Sequence, residues 1–341
     1  MSNGRSSKGV MVWAILATVF LACSMAANCL LFVVLLVGAD GGLSSGLGRE
    51  TIFREQMIGG DSNSRDKIAV IYLTGIISYR IEGATGEEGM VGDIKEQLRV
   101  AEKDGDVKGI LLVIDSPGGE VTASDDIYRA VAKARDEFNI PVVVSMSSLA
   151  ASGGYYVAMG GEYVMASDST ITGSIGVIMQ AVNYRKLLDK VGLEILTVKS
   201  GKFKDLLNGA RENNPEEVKL VQDLIMESYD QFVGIVAKER DMDVNELKEG
   251  LADGRIYSGK QAKEEGLIDG IGYFEDAVAK TKELAKIKEA RLVKYSAPAS
   301  LRRLLHLLSK SDMKSVKVQV GPESLKLQSG RLYYVAEQFV Q

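Results

Sequence analysis

The stretch 145–156 reads SMSSLAASGGYY and sets Ser152 directly before two glycines. A serine there is well placed as a nucleophile. A carbonyl can approach it without meeting a side chain, and free backbone N–H groups at a helix start can receive an oxyanion. Ser145, Ser147, Ser148 and Ser152 read equally as caps or satisfied polar groups, because Ser-Gly-Gly is common in turns. A serine nucleophile needs a base. The one histidine, His306, sits in LRRLLHLL far along the chain and reads as a surface or lipid-facing residue. A lysine serves instead if burial lowers its ammonium pKa. The segment LTVKSGKFKDLL at 196–207 offers Lys199, Lys202 and Lys204 between apolar residues. Spacing does not choose among them, and a solvated surface lysine is the ordinary alternative. Two cysteines, Cys23 and Cys29, and one histidine exclude a Cys/His zinc site. No metal and no cofactor is expected.

The elements that must hold these residues are legible in outline. The chain has 341 residues, 46% of them hydrophobic and 26% charged, an ordinary globular mix of about two domains' length. The net charge is −5 with no long basic run, which gives nucleic-acid binding little electrostatic support. Apolar runs at 67–78 (KIAVIYLTGIIS), 109–115 (GILLVID) and 140–145 (IPVVVS) read as buried strands. Shorter strands are expected at 162–166, 171–179 and 193–198. Helices are expected at 91–104, 121–138, 150–159, 184–191, 244–251, 259–265 and 274–290. Another, at 215–240, opens on Pro215 with Glu216 and Glu217 behind it. Continuous apolar strands separated by helices predict an α/β fold whose sheet is covered on both faces. Ligand sites in such folds gather where strands end and helices begin, as Gly118-Gly119 and Gly153-Gly154 do here.

Residues 10–38 contain no charge. As a helix they would run about 43 Å, more than the ~30 Å of a bilayer's hydrocarbon core, so one crossing fits with slack for tilt. The run is much longer than a signal-peptide core of about 7–15 residues, although Val37-Gly38-Ala39 loosely fits a cleavage site. Arg5 and Lys8 precede it, which keeps the N-terminus cytoplasmic and places the rest outside. Both cysteines fall inside the apolar run and read as small apolar residues. A Gly/Ser-rich polar stretch follows at 39–65. SLRRLLHLLSK at 300–310 is an amphipathic basic stretch, and the polar segments after it could form edge strands.

Several motifs then occur in order. They are Ser-Pro-Gly-Gly (116–119), Ala-Ala-Ser-Gly-Gly-Tyr-Tyr (150–156), Thr-Gly-Ser-Ile-Gly-Val (172–177), Ser-Gly-Lys-Phe-Lys-Asp (200–205) and Asp-Gly-Arg-Ile-Tyr-Ser-Gly (253–259), with Ala262 and Gly266-Leu267-Ile268-Asp269 beyond. Over roughly 66–295 the chain resembles the signal peptide peptidase A (protease IV) family of membrane-anchored serine peptidases, in its single-unit short form. The resemblance implies a Clp-protease/crotonase-like α/β fold preceded by one transmembrane helix, and a Ser–Lys dyad. By motif position Ser152 is the nucleophile, Lys204 the general base and Ser174 the serine that orients the lysine amine. The N–H groups of Gly153 and Gly119 form the oxyanion hole. It also implies a homo-oligomeric ring, because in relatives the serine and lysine come from neighbouring protomers or repeat halves. Asp205, next to Lys204, is expected to point away from it on an extended segment. The organisation expected is a cytoplasmic N-terminus at 1–9, an anchor at 10–38, a linker at 39–65, a peptidase domain at 66–295 and a tail at 296–341. The expected substrates are remnant signal peptides and other hydrophobic peptides at the membrane. The alternatives are degradation of misfolded exported proteins, an inactive scaffold of the same fold, and an acyl-CoA enzyme of the crotonase type.

Overall fold

The computed structural model describes residues 6–39, 53–79, 89–296 and 332–336. The chain divides into two units. The described part of the first is a single helix, α1 (Ser6–Ala39), whose segment Met11–Cys29 is long and apolar enough to cross a membrane. Its polar side chains bond within the helix, Thr18 Oγ1 to the Ala14 carbonyl and Asn28 Nδ2 to the Ser24 carbonyl at 2.8 Å. Cys23 and Cys29 are free thiols on this helix. His306, the basic stretch 300–310 and the sequence around Arg5 lie outside the described residues.

The second unit holds every other element. In chain order these are β1 (Arg54–Gly60), β2 (Lys67–Thr74), α2 (Met90–Lys103), β3 (Val107–Ser116), β4 (Gly118–Glu120), α3 (Val121–Asp136), β5 (Val142–Ala151), α4 (Gly153–Ala158), β6 (Tyr163–Ala166) and β7 (Ile171–Gly173). Then come α5 (Arg185–Val191), α6 (Pro215–Arg240), α7 (Val244–Glu246) running on as a π-turn at Leu247–Leu251, β8 (Ile256–Ser258), α8 (Gly259–Glu264), β9 (Gly270–Ile271), α9 (Phe274–Leu284), β10 (Arg291–Ser296) and β11 (Tyr333–Val335). Among the described residues the main sheet runs β1-β10-β2-β3-β5-β6-β9. All neighbours along that path are parallel except β1, which pairs antiparallel with β10.

The central strands read as unbroken apolar runs because both faces are covered. Ala69, Ile71, Ile110, Leu112, Val142 and Val144 pack with α2, α3 and α4, while Ile68, Val70, Leu111, Val113 and Val143 pack with α9. Adjacent residues thus enter opposite cores, as period-two side chains require. The sheet forks along β5: its first half pairs with β6, and its end, Leu149–Ala151, pairs with β7. That fork brings β5 to the turn before α4.

Several local readings of the sequence give way: the strand expected at 171–179 ends at Gly173, and the helix expected from 150 begins at Gly153 because 150 and 151 belong to β5. Residues 54–60, placed in the linker, form β1; REQMIGG is exposed along its length and carries no apolar alternation to reveal it. The helix expected to reach residue 290 stops at Leu284, because Lys286 takes a left-handed conformation (φ 56°). Ile287 N–H then bonds the Lys282 carbonyl (3.0 Å) and Lys286 N–H the Glu283 carbonyl (3.1 Å), a Schellman stop made without the usual glycine. The chain continues into β10. Residues 193–198 form no strand, and Leu193, Ile195, Leu196 and Val198 are exposed.

Tyr155 is fully buried in α4 and its hydroxyl donates to the Leu267 carbonyl at 2.7 Å. Tyr155→Phe leaves that buried carbonyl unpaired, so chemical unfolding of the full chain should show a loss of about 1–3 kcal/mol. An unchanged midpoint would mean the bond contributes nothing.

Candidate active site

Ser152 occupies the tight turn from β5 into α4. Its backbone has φ 53° and ψ −116°, a conformation that side-chain-bearing residues rarely adopt. Two hydrogen bonds hold it there: Ser152 N–H to the Gly173 carbonyl (2.7 Å) and Tyr156 N–H to the Ser152 carbonyl (2.8 Å). The serine is 1% exposed and its hydroxyl is buried without a hydrogen-bond partner among the described residues. A buried unpaired hydroxyl on a strained backbone costs stability on both counts, a combination found where function demands it. The next residues anchor the turn. Tyr155 reaches Leu267, and the Tyr156 hydroxyl donates to Asp125 at 2.8 Å while accepting from Gln231 at 2.9 Å. Burial, then the Asp125 carboxylate, pushes the Tyr156 phenol well above its ordinary range, so it stays a neutral donor.

The two Gly-Gly turns meet beside this serine. A Cβ on Gly153 would fall 2.5 Å from Ser124 Oγ and 3.1 Å from the backbone nitrogen of Gly119. Only glycine permits so close an approach. Gly118, at φ 100°, donates its N–H to Ser116 Oγ (3.1 Å), and its carbonyl accepts from Ile77 N–H (2.8 Å). Asp115, just before this turn, accepts from Leu149 N–H at 3.2 Å and so ties β3 to the irregular end of β5.

The sequence left the tail's role open, and β11 supplies a position for part of it. The strand runs antiparallel to β4, with Tyr334 opposite Gly119 and Val335 opposite Gly118. Its ends are fixed by Val121 N–H to the Leu332 carbonyl (3.3 Å) and Ala336 N–H to the Pro117 carbonyl (2.8 Å). Tyr333 and Ile178 exchange both backbone bonds at 3.1 Å on the other edge. An extended segment therefore lies between the glycine strand and residue 178. The Tyr334 carbonyl oxygen sits 2.0 Å from where a Cβ of Gly118 would stand, and Gly153 N lies 2.7 Å from that same point. The Tyr334 ring is buried, stacked on Tyr156 (centroids 5.0 Å) and tilted against Phe232 (4.7 Å), with its hydroxyl on the Ser228 carbonyl at 2.8 Å. Three short residues carried no periodicity by which this register could be read.

Ser174 follows directly on the Gly173 that holds Ser152. It too is left-handed (φ 52°) and nearly buried, with its N–H on the Arg255 carbonyl at 2.8 Å. It lines a cavity of about 500 Å³ with Ile178, Met226, Tyr229, Asp253 and Val335. The lysines lie apart. Residues 201–207 form a run of turns, and Lys204 stands exposed on it. Among the described residues Lys199 pairs with Asp205 and Lys202 with Glu216, while the Lys204 side chain makes no ion pair or hydrogen bond. Within one chain no hydrogen bond joins Lys204 to Ser152.

Comparison with known proteins gives the family to which this body belongs. The model of peptidase family S49 matches residues 134–288, and that of the Clp protease family matches 61–180. A chain of Enterococcus faecium that bears the name signal peptide peptidase SppA is 40% identical over 255 residues, covering 73% of this chain and 72% of that one. The chloroplastic serine protease SPPA of Arabidopsis thaliana is 36% identical over 249 residues, covering 71% of this chain and 36% of its own. Protease 4 of Salmonella typhi is 37% identical over 229 residues, covering 67% of this chain and 36% of its own. With a Clp-protease-like α/β body and, in the Enterococcus faecium chain, a 40% identical relative matched over more than two thirds of both chains, the protein belongs to peptidase family S49 and is a serine peptidase.

Proposed function

We propose that the protein is a membrane-anchored endopeptidase in which Ser152 attacks a peptide carbonyl with Lys204 as general base. The observation that carries this reading is the Ser152 hydroxyl, buried, unpartnered and held on a strained turn beside Gly153 and Gly119. Neutral Lys204 takes the hydroxyl proton as the oxygen bonds to the carbonyl carbon. The N–H groups of Gly153 and Gly119 receive the oxyanion. Lys204 then returns the proton to the leaving amine, and water, deprotonated by the same amine, releases the acyl group. Ser174 orients the lysine amine.

Lys204 comes from a second copy of the chain in a homo-oligomeric ring. Three observations support this: Lys204 is exposed, Ser152 lacks a partner within its own chain, and residues 193–198 leave Leu193, Leu196 and Val198 in solvent. A neighbouring copy laid along that segment would bury the apolar side chains and desolvate the amine, which favours its neutral form. Helix α1 anchors the body with the N-terminus cytoplasmic and the catalytic unit outside. The organisation is an N-terminal segment at 1–9, an anchor at 10–38, a linker shortened by β1, a peptidase body and a tail from 296.

The substrates are hydrophobic peptides at the membrane, remnant signal peptides first among them. The path of β11 supports this choice. A substrate taking the same extended course would add a strand between β4 and residue 178, and would offer large apolar side chains to the Tyr156–Phe232 pocket.

Ser152→Ala and Lys204→Ala should each lower kcat/KM on a small apolar peptide ester by about 10³-fold or more, whereas His306→Ala keeps it. Cleavage by either of the first two at the wild-type rate, or failure of a fluorophosphonate to label Ser152, would remove the assignment. A chain ending at residue 331 should hydrolyse long peptides severalfold faster, since no strand then has to leave the groove. Equal rates would mean that substrates take another path.

A further inference from the structure

The loop carrying Lys204 poses an electrostatic problem. Asp205 is its direct neighbour in sequence, and a free carboxylate beside the amine would stabilise the ammonium form. Strand alternation does not separate the two, because 201–207 is a run of turns: Lys204 N–H bonds the Gly201 carbonyl and Leu206 N–H the Phe203 carbonyl, both at 3.2 Å. Arg211 separates them instead. Its Nε donates to Asp205 Oδ2 (2.8 Å), and its Nη2 donates to Asp205 Oδ1 (3.0 Å) and to the Asp205 backbone carbonyl (2.9 Å). Lys199 Nζ holds Oδ1 as well. The guanidinium is fixed in turn by Glu217 in the first turn of α6, at 2.7 Å, whose side chain is 2% exposed.

Other charged groups of this region are paired among themselves, while Lys186, Lys190, Glu194 and Lys219 make no ion pair among the described residues. Lys202 pairs with Glu216, Arg185 pairs with Glu212 and Asp189, and Arg211 Nη1 donates to the Glu212 carbonyl at 3.0 Å. Both oxygens of Asp205 are thus committed away from Lys204. Arg211 foremost, with Lys199, holds the Asp205 carboxyl far below the usual carboxylate range, so it stays anionic wherever the enzyme works.

We propose that Arg211 is a positioning residue that withholds the Asp205 carboxylate from the Lys204 amine and thereby sets the pH at which Lys204 becomes a base. This rests on the reading of Lys204 as the general base. The fork is the feature that a lysine cannot reproduce, since it binds both carboxylate oxygens and the backbone of residue 205 at once.

The test is the acid limb of kcat/KM against pH, measured on full-length protein in detergent with a peptide ester, since that limb reports the base of the free enzyme. Arg211→Met should raise the limb's midpoint by about one unit, a roughly tenfold loss below both midpoints that disappears at alkaline pH. Arg211→Met with Asp205→Asn should bring the midpoint back to the wild-type value or below. Asp205→Asn alone should lower it, because Arg211 and Lys199 then face the amine uncompensated. A loss in Arg211→Met that is equal at every pH would assign it a purely structural role and overturn the proposal. An unmoved midpoint in Asp205→Asn would overturn it too, and that variant reports even if Arg211→Met does not fold. Lys204→Ala separates the two levels. Full activity there removes the dyad and this proposal with it, whereas an inactive Lys204→Ala with an unmoved Asp205→Asn limb removes this proposal alone.

Discussion

The hydrogen bond from Ser152 N–H to the Gly173 carbonyl, 2.7 Å long, is the contact on which the candidate site hangs. It fastens the β5–α4 turn to the end of β7. Both residues that leave those strands, Ser152 and Ser174, are then left-handed. Each such residue costs on the order of 1–3 kcal/mol unless its surroundings over-determine it. The surroundings do so. Helix α4 is buried along its whole length, and β5 lies between β3 and β6 or β7. Strain at the serine is held by packing far larger than itself.

The serine side and the lysine side are built on opposite physical terms. Ser152 sits in a dry interior made by apolar strands and tyrosines whose hydroxyls are all spoken for. Lys204 sits on exposed turns whose shape comes from ion pairs among Lys199, Asp205, Arg211 and Glu217. The first half gives geometry, and the second gives a cation among partnered charges. In the proposed dyad the exposed half would have to lose water, and exposed Leu196 and Val198 lie on the same stretch of chain as the lysine.

The central strands and α6 were legible because burial on both faces and a Pro215 start leave strong local marks. The structure begins and ends α6 at the residues expected. The glycines after Ser152 marked it as a candidate, but a capped or satisfied serine fitted the same spacing, and the nucleophile role came from the ordered motifs around it. Spacing did not choose among the three lysines, and the pairing of Lys199 with Asp205 and of Lys202 with Glu216 is made across turns that leave no local pattern. The extended segment expected around Asp205 is a run of turns instead, and both of its carboxylate oxygens are taken by a guanidinium six positions on, which no nearby residue announces. Strand β1 escaped notice, and the place and register of the edge strand expected in the tail could not be read, because each is defined by its partner rather than by its own pattern.

The β4 strand raises a last point about solubility. Ile77 bonds it on one side, and Tyr333–Val335 completes the other. Without that second neighbour the glycine strand would be an open sheet edge, and any edge able to recognise an extended peptide is equally able to recruit a misfolded one. The tail strand therefore doubles as a guard: it keeps the sheet from growing outward on strangers and lays the Tyr334 ring over those of Tyr156 and Phe232, which would otherwise face them.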